Sequence, residues 1–280
     1  MREIDTGLVR KTVKDLILKA NIFLCPDIKN ELIKKEKEEK SEIGKGLLNV
    51  INENIKVAAR ENCPICQDTG MCIVFLEVGQ EVVFKGNYIY DEINEAIREA
   101  YEEGYFRKSV VGCPLRRENT KDNTPGIIYY NIVKGDKVNI KVMPKGFGSE
   151  NCGATKMLKP ADGYEGVVNF ILDTVKNAGS KPCPPMIIGI GIGGTMEKSA
   201  LMAKEALLLD INHKNEDPFY AEMEEELYTK INNLGIGPGG LGGTTTALGV
   251  NILTYPTHIA GLPISVNIGC HVSRHTQTEI

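Results

Sequence analysis

A strand, a glycine turn and a helix follow one another directly in the second half of the chain, and this succession constrains the fold most. Pro184 to Ile192 is a short apolar run rich in β-branched isoleucine, which predicts a buried strand. Gly193 and Gly194 then permit a tight turn into a helix over Met196 to Leu209. Such a unit is typical of α/β proteins, so we expect an α/β fold.

The N-terminal portion, about residues 1–62, is predicted to be helical because its apolar residues recur at steps of three and four. Mixed strand and helix units are expected after it. With 280 residues the chain can bury one large core or two moderate ones, so we expect a single two-lobed domain over 1–280. The predicted elements are helices over Thr6 to Lys19, Asp27 to Ser41, Gly44 to Glu61 and Tyr90 to Phe106, and a strand over Met71 to Val78.

Two further patterns predict local structure. Ile127 to Val133 and Lys137 to Met143 are predicted to pair as a hairpin joined by Gly135-Asp136. The segment from Gly235 to Gly243 is the most glycine-dense in the chain. Glycine costs roughly 0.5–1 kcal/mol relative to alanine in regular structure, so we expect this backbone to contact a partner closely. A flexible linker is the alternative.

Composition narrows the classes of function. A net charge of -4 and a pI near 5.7 provide no basic surface for nucleic acid. The N-terminus lacks the unbroken apolar core of a signal peptide, and no segment is apolar enough to span a membrane, so we expect a cytoplasmic protein. Its eight cysteines are then expected to be thiols or metal ligands rather than disulfides.

The segment from Cys63 to Gly70 concentrates polar and sulfur chemistry. It contains the pair Cys63 and Cys66, followed directly by Gln67, Asp68 and a threonine. These residue types fit a metal or redox centre beside a polar substrate pocket. A thioredoxin-like pair and half of a zinc site both remain open from the residues alone. Asp68 could also simply cap its own turn.

Other candidate residues lie in loops. Arg116 and Arg117 occupy a polar loop, where guanidinium groups either grip carboxylates or are merely solvated. The segment from Lys145 to Asn151 has glycines on both sides of a bulky residue, which resembles an anion-binding loop but matches neither nucleotide-binding fingerprint. The helix after Gly193-Gly194 could receive a substrate carboxylate at its N-terminus, or the glycines could form a plain tight turn.

Five motifs, taken together, resemble a known family. They are, in chain order, Cys66-Gln67-Asp68-Thr69-Gly70, Lys145-Gly146-Phe147-Gly148-Ser149-Glu150-Asn151, Cys183-Pro184-Pro185, Gly237-Pro238-Gly239-Gly240-Leu241-Gly242-Gly243-Thr244-Thr245 and Gly269-Cys270. Their order and coverage are similar to the N-terminal half of the class I, iron–sulfur fumarate hydratases. The related tartrate dehydratases resemble the chain too.

The resemblance implies a four-iron four-sulfur (4Fe-4S) cluster held by Cys66, Cys183 and Cys270, with one iron left open to act as a Lewis acid. It implies a substrate-binding role for four residues, with Arg117 as the second choice at the arginine position. These are Gln67, Arg116, Gly146 and Gly148. Asp68 and His258 are the implied catalytic residues, and His271, Arg274 and His275 could tune the cluster from outside its ligand set.

The resemblance also implies a partner. In the long single-chain enzymes a further domain completes the active site, so we expect an α subunit that needs a separate β subunit in a hetero-oligomer. The implied reaction is the reversible dehydration of (S)-malate to fumarate. An L(+)-tartrate dehydratase α subunit is the close alternative. A non-catalytic cluster-binding subunit and a zinc-bound structural protein are two further alternatives.

Overall fold

The computed structural model describes all residues from Met1 to Ile280 and confirms the α/β class. The helices are α1 (Thr6–Ile22), α2 (Pro26–Glu38), α3 (Glu42–Glu61), α4 (Ile89–Glu103), α5 (Phe147–Glu150), α6 (Gly163–Ala178), α7 (Met196–Glu205) and α8 (Pro218–Asn232). The strands are β1 (Arg2–Asp5), β2 (Met71–Gly79), β3 (Val82–Lys85), β4 (Ile127–Val133), β5 (Val138–Lys145), β6 (Ala154–Leu158), β7 (Met186–Gly193), β8 (Ala247–Tyr255), β9 (Leu262–Gly269) and β10 (Thr276–Glu279).

The chain divides into two compact units. Unit 1 comprises Met1–Cys25, Asn54–Phe147 and Arg274–Ile280, and unit 2 comprises Pro26–Glu53 and Gly148–Ser273. Each unit has its own hydrophobic core. None of the helices combines the length and apolar character needed to cross a membrane.

The N-terminal helices form as the apolar periodicity predicts, although a short strand precedes them. β1 pairs in parallel with β3 in a separate two-stranded sheet. Asp5, its last residue, then caps α1, because its carboxylate accepts hydrogen bonds from the N–H groups of Gly7 and Leu8 at 2.9 and 3.3 Å. Four residues, three of them charged, carry too weak a signal to be recognised as a strand before their partner is known.

Unit 1 is built on a four-stranded sheet in the order β10-β5-β2-β4. Its core lies between this sheet and helices α1 and α4, and includes Val74 and Leu76 of β2 together with Ile97 and Tyr101 of α4. The residues of β2 are almost all buried, which explains why its sequence is a continuous apolar run.

The predicted hairpin is wrong in its pairing. β4 and β5 form close to their predicted bounds, but β2 lies between them, parallel to β4 and antiparallel to β5. The intervening turn crosses the end of β2, where a Cβ on Gly79 would lie only 2.4 Å from the carbonyl oxygen of Gly135. The local pattern marks the chain reversal correctly, but it cannot reveal that an earlier strand fills the space between the two arms.

Unit 2 is built on the sheet order β6-β9-β7-β8, in which β7 is parallel to β8 and antiparallel to β9. Glycine and isoleucine alternate along β7, so each faces a different layer. Gly189 and Gly191 face α7, and Cβ atoms there would lie 2.2 and 2.1 Å from helix carbonyl oxygens. Ile188 and Ile190 face the opposite way, into the core formed with α6 and α8.

Candidate functional site

The turn that carries Cys66, Gln67 and Asp68 lies in unit 1, between the end of α3 and the start of β2. Gln67 is exposed, whereas Cys66 and Asp68 are half-buried. The Cys66 Sγ atom lies 3.8 Å from Oε1 of Gln67. The sulfur, the amide and the carboxylate are therefore all accessible along one short turn.

Both carboxylate oxygens of Asp68 are held by backbone N–H groups. Oδ1 accepts from Gly70 at 3.0 Å, and Oδ2 accepts from Phe147 at 2.9 Å. Gly146 permits this approach, since a Cβ there would lie 3.1 Å from Oδ2. Asp68 does stabilise its own turn, as one interpretation of the sequence holds. It is also a fixed and half-exposed acceptor, because each oxygen has a further lone pair.

Buried side chains hold the backbone of this turn in place through hydrogen bonds to its carbonyl oxygens. The Tyr101 hydroxyl donates to the carbonyl oxygens of Thr69 and Gly70 at 2.7 and 3.0 Å. Burial raises the pKa of Tyr101, so the hydroxyl remains a donor. Asn123 donates to the carbonyl oxygen of Gly70 at 3.1 Å, and Arg274 donates to that of Asp68.

These supporting residues were not all identifiable from sequence. Tyr101 follows the apolar face of α4 and Asn123 sits in a polar loop, so neither pattern indicates a contact with the turn more than 20 residues upstream. The sequence distinguishes Arg274 only by its closeness to Cys270. A buried polar residue is identified by its three-dimensional partners, which periodicity does not provide.

Arg116 lies at the tip of a short excursion of the chain in unit 1. Val110 and Thr120 close its base through a backbone hydrogen bond of 2.9 Å, and the side chain of Asn123 accepts from the N–H of Ser109 in the segment leading into it. The guanidinium of Arg116 is exposed and makes no hydrogen bond or ion pair. Arg117 instead donates to the carbonyl oxygen of Pro114 at 3.4 Å. Of the two arginines, Arg116 is the one whose side chain has no intramolecular partner.

Cys183 and Cys270 lie at the same end of the unit 2 sheet. Cys183 precedes β7 and Cys270 follows its antiparallel neighbour β9, with Ile187 paired to Gly269 at that end. The two loops are joined because His271 contacts the carbonyl oxygen of Cys183 through its backbone N at 3.3 Å and through Nδ1 at 2.8 Å. The structure thus brings these two predicted ligands together.

The glycine-dense segment packs against the Cys183 loop. The backbone N–H of Gly239 donates to the carbonyl oxygen of Pro184 at 2.8 Å, and a Cβ on Gly240 would lie 2.2 Å from Cβ of Ser180. Gly243 approaches Glu39 similarly, with a Cβ position 2.8 Å from Oε1. The close backbone contacts expected of this segment are therefore made within unit 2, and the segment is not a flexible linker.

His258 lies at the other end of the same sheet. It follows β8, and the pair Gly193 and Tyr255 marks that end. The strand β7 has 8 residues, and at about 3.3 Å per residue the two ends are roughly 23 Å apart. His258 is exposed, and its Nδ1 accepts from Ala260 at 3.2 Å. The structure does not bring His258 together with Cys183 and Cys270 of the same chain.

Two remaining predicted features have simple structural explanations. A Cβ on Gly193 would lie 2.0 Å from the carbonyl oxygen of Tyr255, so this position serves a tight turn against β8. The start of α7 already receives a carboxylate, since Glu197 accepts from the hydroxyl of Thr195 at 2.5 Å. Gly148, by contrast, is in ordinary contact, with a Cβ position 3.7 Å from the carbonyl oxygen of Lys181.

Two grooves on unit 2 involve other residues. One of about 550 Å³ lies beside α8 and β8, and one of about 410 Å³ lies beside α6 and β6. Neither is lined by a predicted cysteine ligand, catalytic residue or substrate-binding residue.

The cysteines fit an iron–sulfur cluster in their chemistry and access. All eight cysteines are thiols, and among the predicted ligands Cys183 is exposed while Cys66 and Cys270 are half-buried. No three His, Cys, Asp or Glu side chains are grouped so that they could hold one metal ion. Thiolates of a four-iron cluster bind different irons, so they are spread more widely than the ligands of a single ion.

Comparison with known proteins decides the family. A family model described as fumarate hydratase (fumerase) matches residues 10–279. The chain belongs to the fumarate hydratase family. The fumarase match spans the turn with Cys66, the arginine loop and both loops of unit 2 that carry predicted ligands. Membership in this family confirms the predicted enzyme class, a hydro-lyase.

Similar proteins are named for a related reaction. A Methanocaldococcus jannaschii protein, provisionally named L(+)-tartrate dehydratase subunit alpha, is 45% identical over 97% of this fumarase-family chain and 97% of its own length. An L(+)-tartrate dehydratase subunit alpha of Escherichia coli (strain K12) is 31% identical over 89% of this chain and 82% of its own length.

Proposed function

We propose that the protein is the α subunit of a two-subunit hydro-lyase that removes water from a 2-hydroxy dicarboxylate. The observation that carries this proposal is the fumarate hydratase match over residues 10–279. The names of the similar proteins, each a subunit alpha, support a separate β subunit that supplies the rest of the active site.

The proposed cofactor is a 4Fe-4S cluster held by Cys66, Cys183 and Cys270. When bound, such a cluster supplies a Lewis acid at its open iron, which polarises the substrate hydroxyl. The accessibility of the three thiols and the joined loops of Cys183 and Cys270 support this assignment. His271 would keep those two loops in register through its contacts with the Cys183 carbonyl oxygen.

In this proposal Asp68, Gln67 and Arg116 handle the substrate. Dehydration removes a hydroxyl from one carbon and a proton from its neighbour, so the substrate must be held in one orientation. Asp68 is suited to orient a hydroxyl or a water, because its oxygens are fixed by Gly70 and Phe147. Arg116 is suited to bind a substrate carboxylate, because its guanidinium is exposed and unpaired.

The glycines and His258 have more limited roles in this proposal. Because Gly146 has no side chain, Asp68 can approach the backbone there closely, and Gly148 lies in the same loop. His258 and the two cysteines Cys183 and Cys270 lie at opposite ends of the unit 2 sheet. Any part of His258 in proton transfer is therefore proposed to take place away from these two cysteines of its own chain. The β subunit is proposed to contribute to proton transfer as well.

The substrate has two candidates. (S)-Malate, which would yield fumarate, follows from the family motifs and the family match. L(+)-Tartrate is the second candidate, and the names of the two similar proteins favour it. The two acids differ by one hydroxyl, and an enzyme site discriminates strongly when a buried polar group is left unpaired by the wrong substrate.

The test is anaerobic reconstitution of the complex with its β subunit. We expect a broad visible absorbance and bound iron and sulfide in the wild type, both lost in Cys66→Ser, Cys183→Ser and Cys270→Ser. Cys113→Ser is the matched control, because Cys113 is also half-buried but is not a proposed ligand. A cluster that survives all three ligand substitutions would refute the assignment. The ratio of kcat/KM for malate and tartrate then decides the substrate.

A further inference from the structure

Arg274 is a buried cation without a counter-ion. The residue is only 4% exposed, and its Nε atom is buried with no hydrogen-bond acceptor. Its guanidinium makes a single hydrogen bond, from a terminal nitrogen to the carbonyl oxygen of Asp68. Two other arginines of unit 1 pair with carboxylates closer to the surface, since Arg10 pairs with Glu99 and Arg98 with Asp122.

An arrangement of this kind is costly unless an anion completes it. Guanidinium stays protonated in proteins, so Arg274 cannot shed its charge on burial. A buried charge is normally paired or bound to a ligand. Asp68, whose own carbonyl oxygen accepts from Arg274, forms no ion pair with it, and its carboxylate oxygens accept instead from the N–H groups of Gly70 and Phe147. Tyr101 and Cys72 nearby stay neutral because burial raises the pKa of each.

The single hydrogen bond of the Arg274 guanidinium is made to the Cys66 turn. The carbonyl oxygen that Arg274 contacts is that of Asp68, two residues after the proposed ligand Cys66. Three thiolates give an oxidised four-iron cluster a net negative charge. Such an anion, bound through Cys66, would be attracted by the unpaired guanidinium of the buried Arg274.

We propose that Arg274 is a positioning residue that fixes the Cys66 turn and balances the negative charge of the cluster bound there. The inference rests on the proposed function, because it requires the cluster. It predicts that the charge of Arg274 stabilises the cluster-loaded protein and destabilises the cluster-free one. A purely structural arginine would stabilise both forms alike.

The test compares Arg274→Gln and Arg274→Lys with wild type in the reconstituted α–β complex. The visible absorbance is followed anaerobically after addition of an iron chelator, and the cluster potential is measured by an EPR-monitored titration. We expect Arg274→Gln to lose its cluster on the order of tenfold faster, and its potential to become more negative, because reduction adds negative charge. Arg274→Lys, which keeps the charge, should remain closer to wild type in potential.

Arg10→Gln is the matched control, since it removes a cation of unit 1 that pairs with Glu99 on a helix surface. It should leave both cluster measurements unchanged.

The melting temperature of the cluster-free chain provides the second readout, and Arg274→Gln should not lower it. If that temperature falls while the potential is unchanged, the role is only structural and the inference is overturned. If Arg274→Gln fails to fold, Arg274→Lys decides. A cluster potential and a rate of cluster loss equal to those of wild type support the inference. A cluster potential that becomes more negative although the charge is kept overturns it.

The outcomes separate this inference from the proposed function. A wild-type complex that never holds a cluster refutes both. A wild-type complex that holds one, with Arg274→Gln matching it in potential and in rate of cluster loss, refutes only the role of Arg274.

Discussion

At the scale of single residues, Glu39 shows how a buried carboxylate can organise two loops of unit 2. It is 1% exposed, and it accepts hydrogen bonds from the N–H groups of Lys40, Ser41, Thr244 and Thr245 and from the Thr244 hydroxyl. Burial by itself would raise the pKa of Glu39, but these donors outweigh burial and lower it from 4.5 to about 2. The charged form is therefore the one that the fold stabilises.

This pKa predicts a specific loss of stability in acid. Because the folded pKa lies below the unfolded one, the contribution is complete above pH 4.5 and disappears as the pH falls toward 2. We expect Glu39→Gln to lower the free energy of unfolding at pH 7 by about 3 kcal/mol and to flatten its pH dependence in this window. Urea unfolding at several pH values measures both effects.

Glu38→Gln is the control for that experiment. Glu38 neighbours Glu39 but its side chain is 48% exposed and pairs only with Lys35 at the surface. Its substitution should leave stability and the acid profile nearly unchanged. An equal effect of the two substitutions would show that the buried hydrogen bonds of Glu39 are not responsible.

Arg116 and Arg117 differ in a way that kinetics can detect. Arg117 is engaged with the carbonyl oxygen of Pro114, whereas the Arg116 guanidinium is unpaired. Lysine cannot reproduce the two parallel hydrogen bonds of guanidinium to a carboxylate. We expect Arg116→Lys to raise KM for the dicarboxylate about tenfold without changing the melting temperature, and Arg117→Lys to change neither. A larger KM effect in Arg117→Lys would reverse the assignment.

At the scale of elements, the alternating glycine and isoleucine of β7 determine how unit 2 is layered. The glycines let α7 lie directly on the strand backbone, and the isoleucines fill the core on the other face. Each buried isoleucine contributes roughly 1.5–3 kcal/mol relative to exposure. The run is therefore unusually sensitive to added volume on its glycine face.

Gly189→Ala tests this packing. Its Cβ would lie 2.2 Å from the carbonyl oxygen of Ala203, which is backbone and cannot turn aside. We expect a loss of about 2–3 kcal/mol in the free energy of unfolding. Gly46→Ala is the matched control, since Gly46 lies in helix α3 with nothing within 4 Å of the added methyl. There we expect a gain of about 0.5–1 kcal/mol from helix propensity. Similar effects at both sites would contradict the packing argument.

Elements with strong periodicity could be predicted from the sequence, and those defined by distant partners could not. The helices α1, α3 and α4 and the strands β2 and β7 follow their apolar patterns closely. The strands β1, β6 and β10 are short and show no alternation of apolar and polar residues, and they form because β3, β9 and β5 offer an edge to them. The hairpin error has the same origin, since β2 enters from an earlier part of the chain.

In the candidate site, too, the parts with local motifs could be predicted and the parts that depend on distant segments could not. The turn of Cys66 to Asp68 and the loops of Cys183 and Cys270 could be found from the sequence, because ligands and glycine turns leave local motifs. The support from Tyr101, Asn123 and Arg274 could not, because it depends on buried hydrogen bonds between distant segments. The position of His258 could not be predicted from the sequence either. Cys270 follows it by twelve residues, and the whole of β9 lies between the two.

At the scale of the whole molecule, the residues proposed to handle the substrate, Gln67, Asp68 and Arg116, all lie in unit 1. If the proposed β subunit completes the site, the chain alone holds only some of the groups that bind substrate. Ligand binding then becomes a property of the complex and can be detected without any turnover.

Thermal stability provides that measurement. A ligand at 100 times its Kd stabilises the form that binds it by about 2.7 kcal/mol, whereas a protein that does not bind it is unaffected. We expect malate or tartrate to raise the melting temperature of the cluster-loaded α–β complex and to leave that of the cluster-loaded chain alone unchanged. Lactate, which has the hydroxyl but only one carboxylate, should have little effect on either. An equal shift for the chain and the complex would mean that this chain forms the substrate site by itself, and the requirement for the β subunit would be refuted.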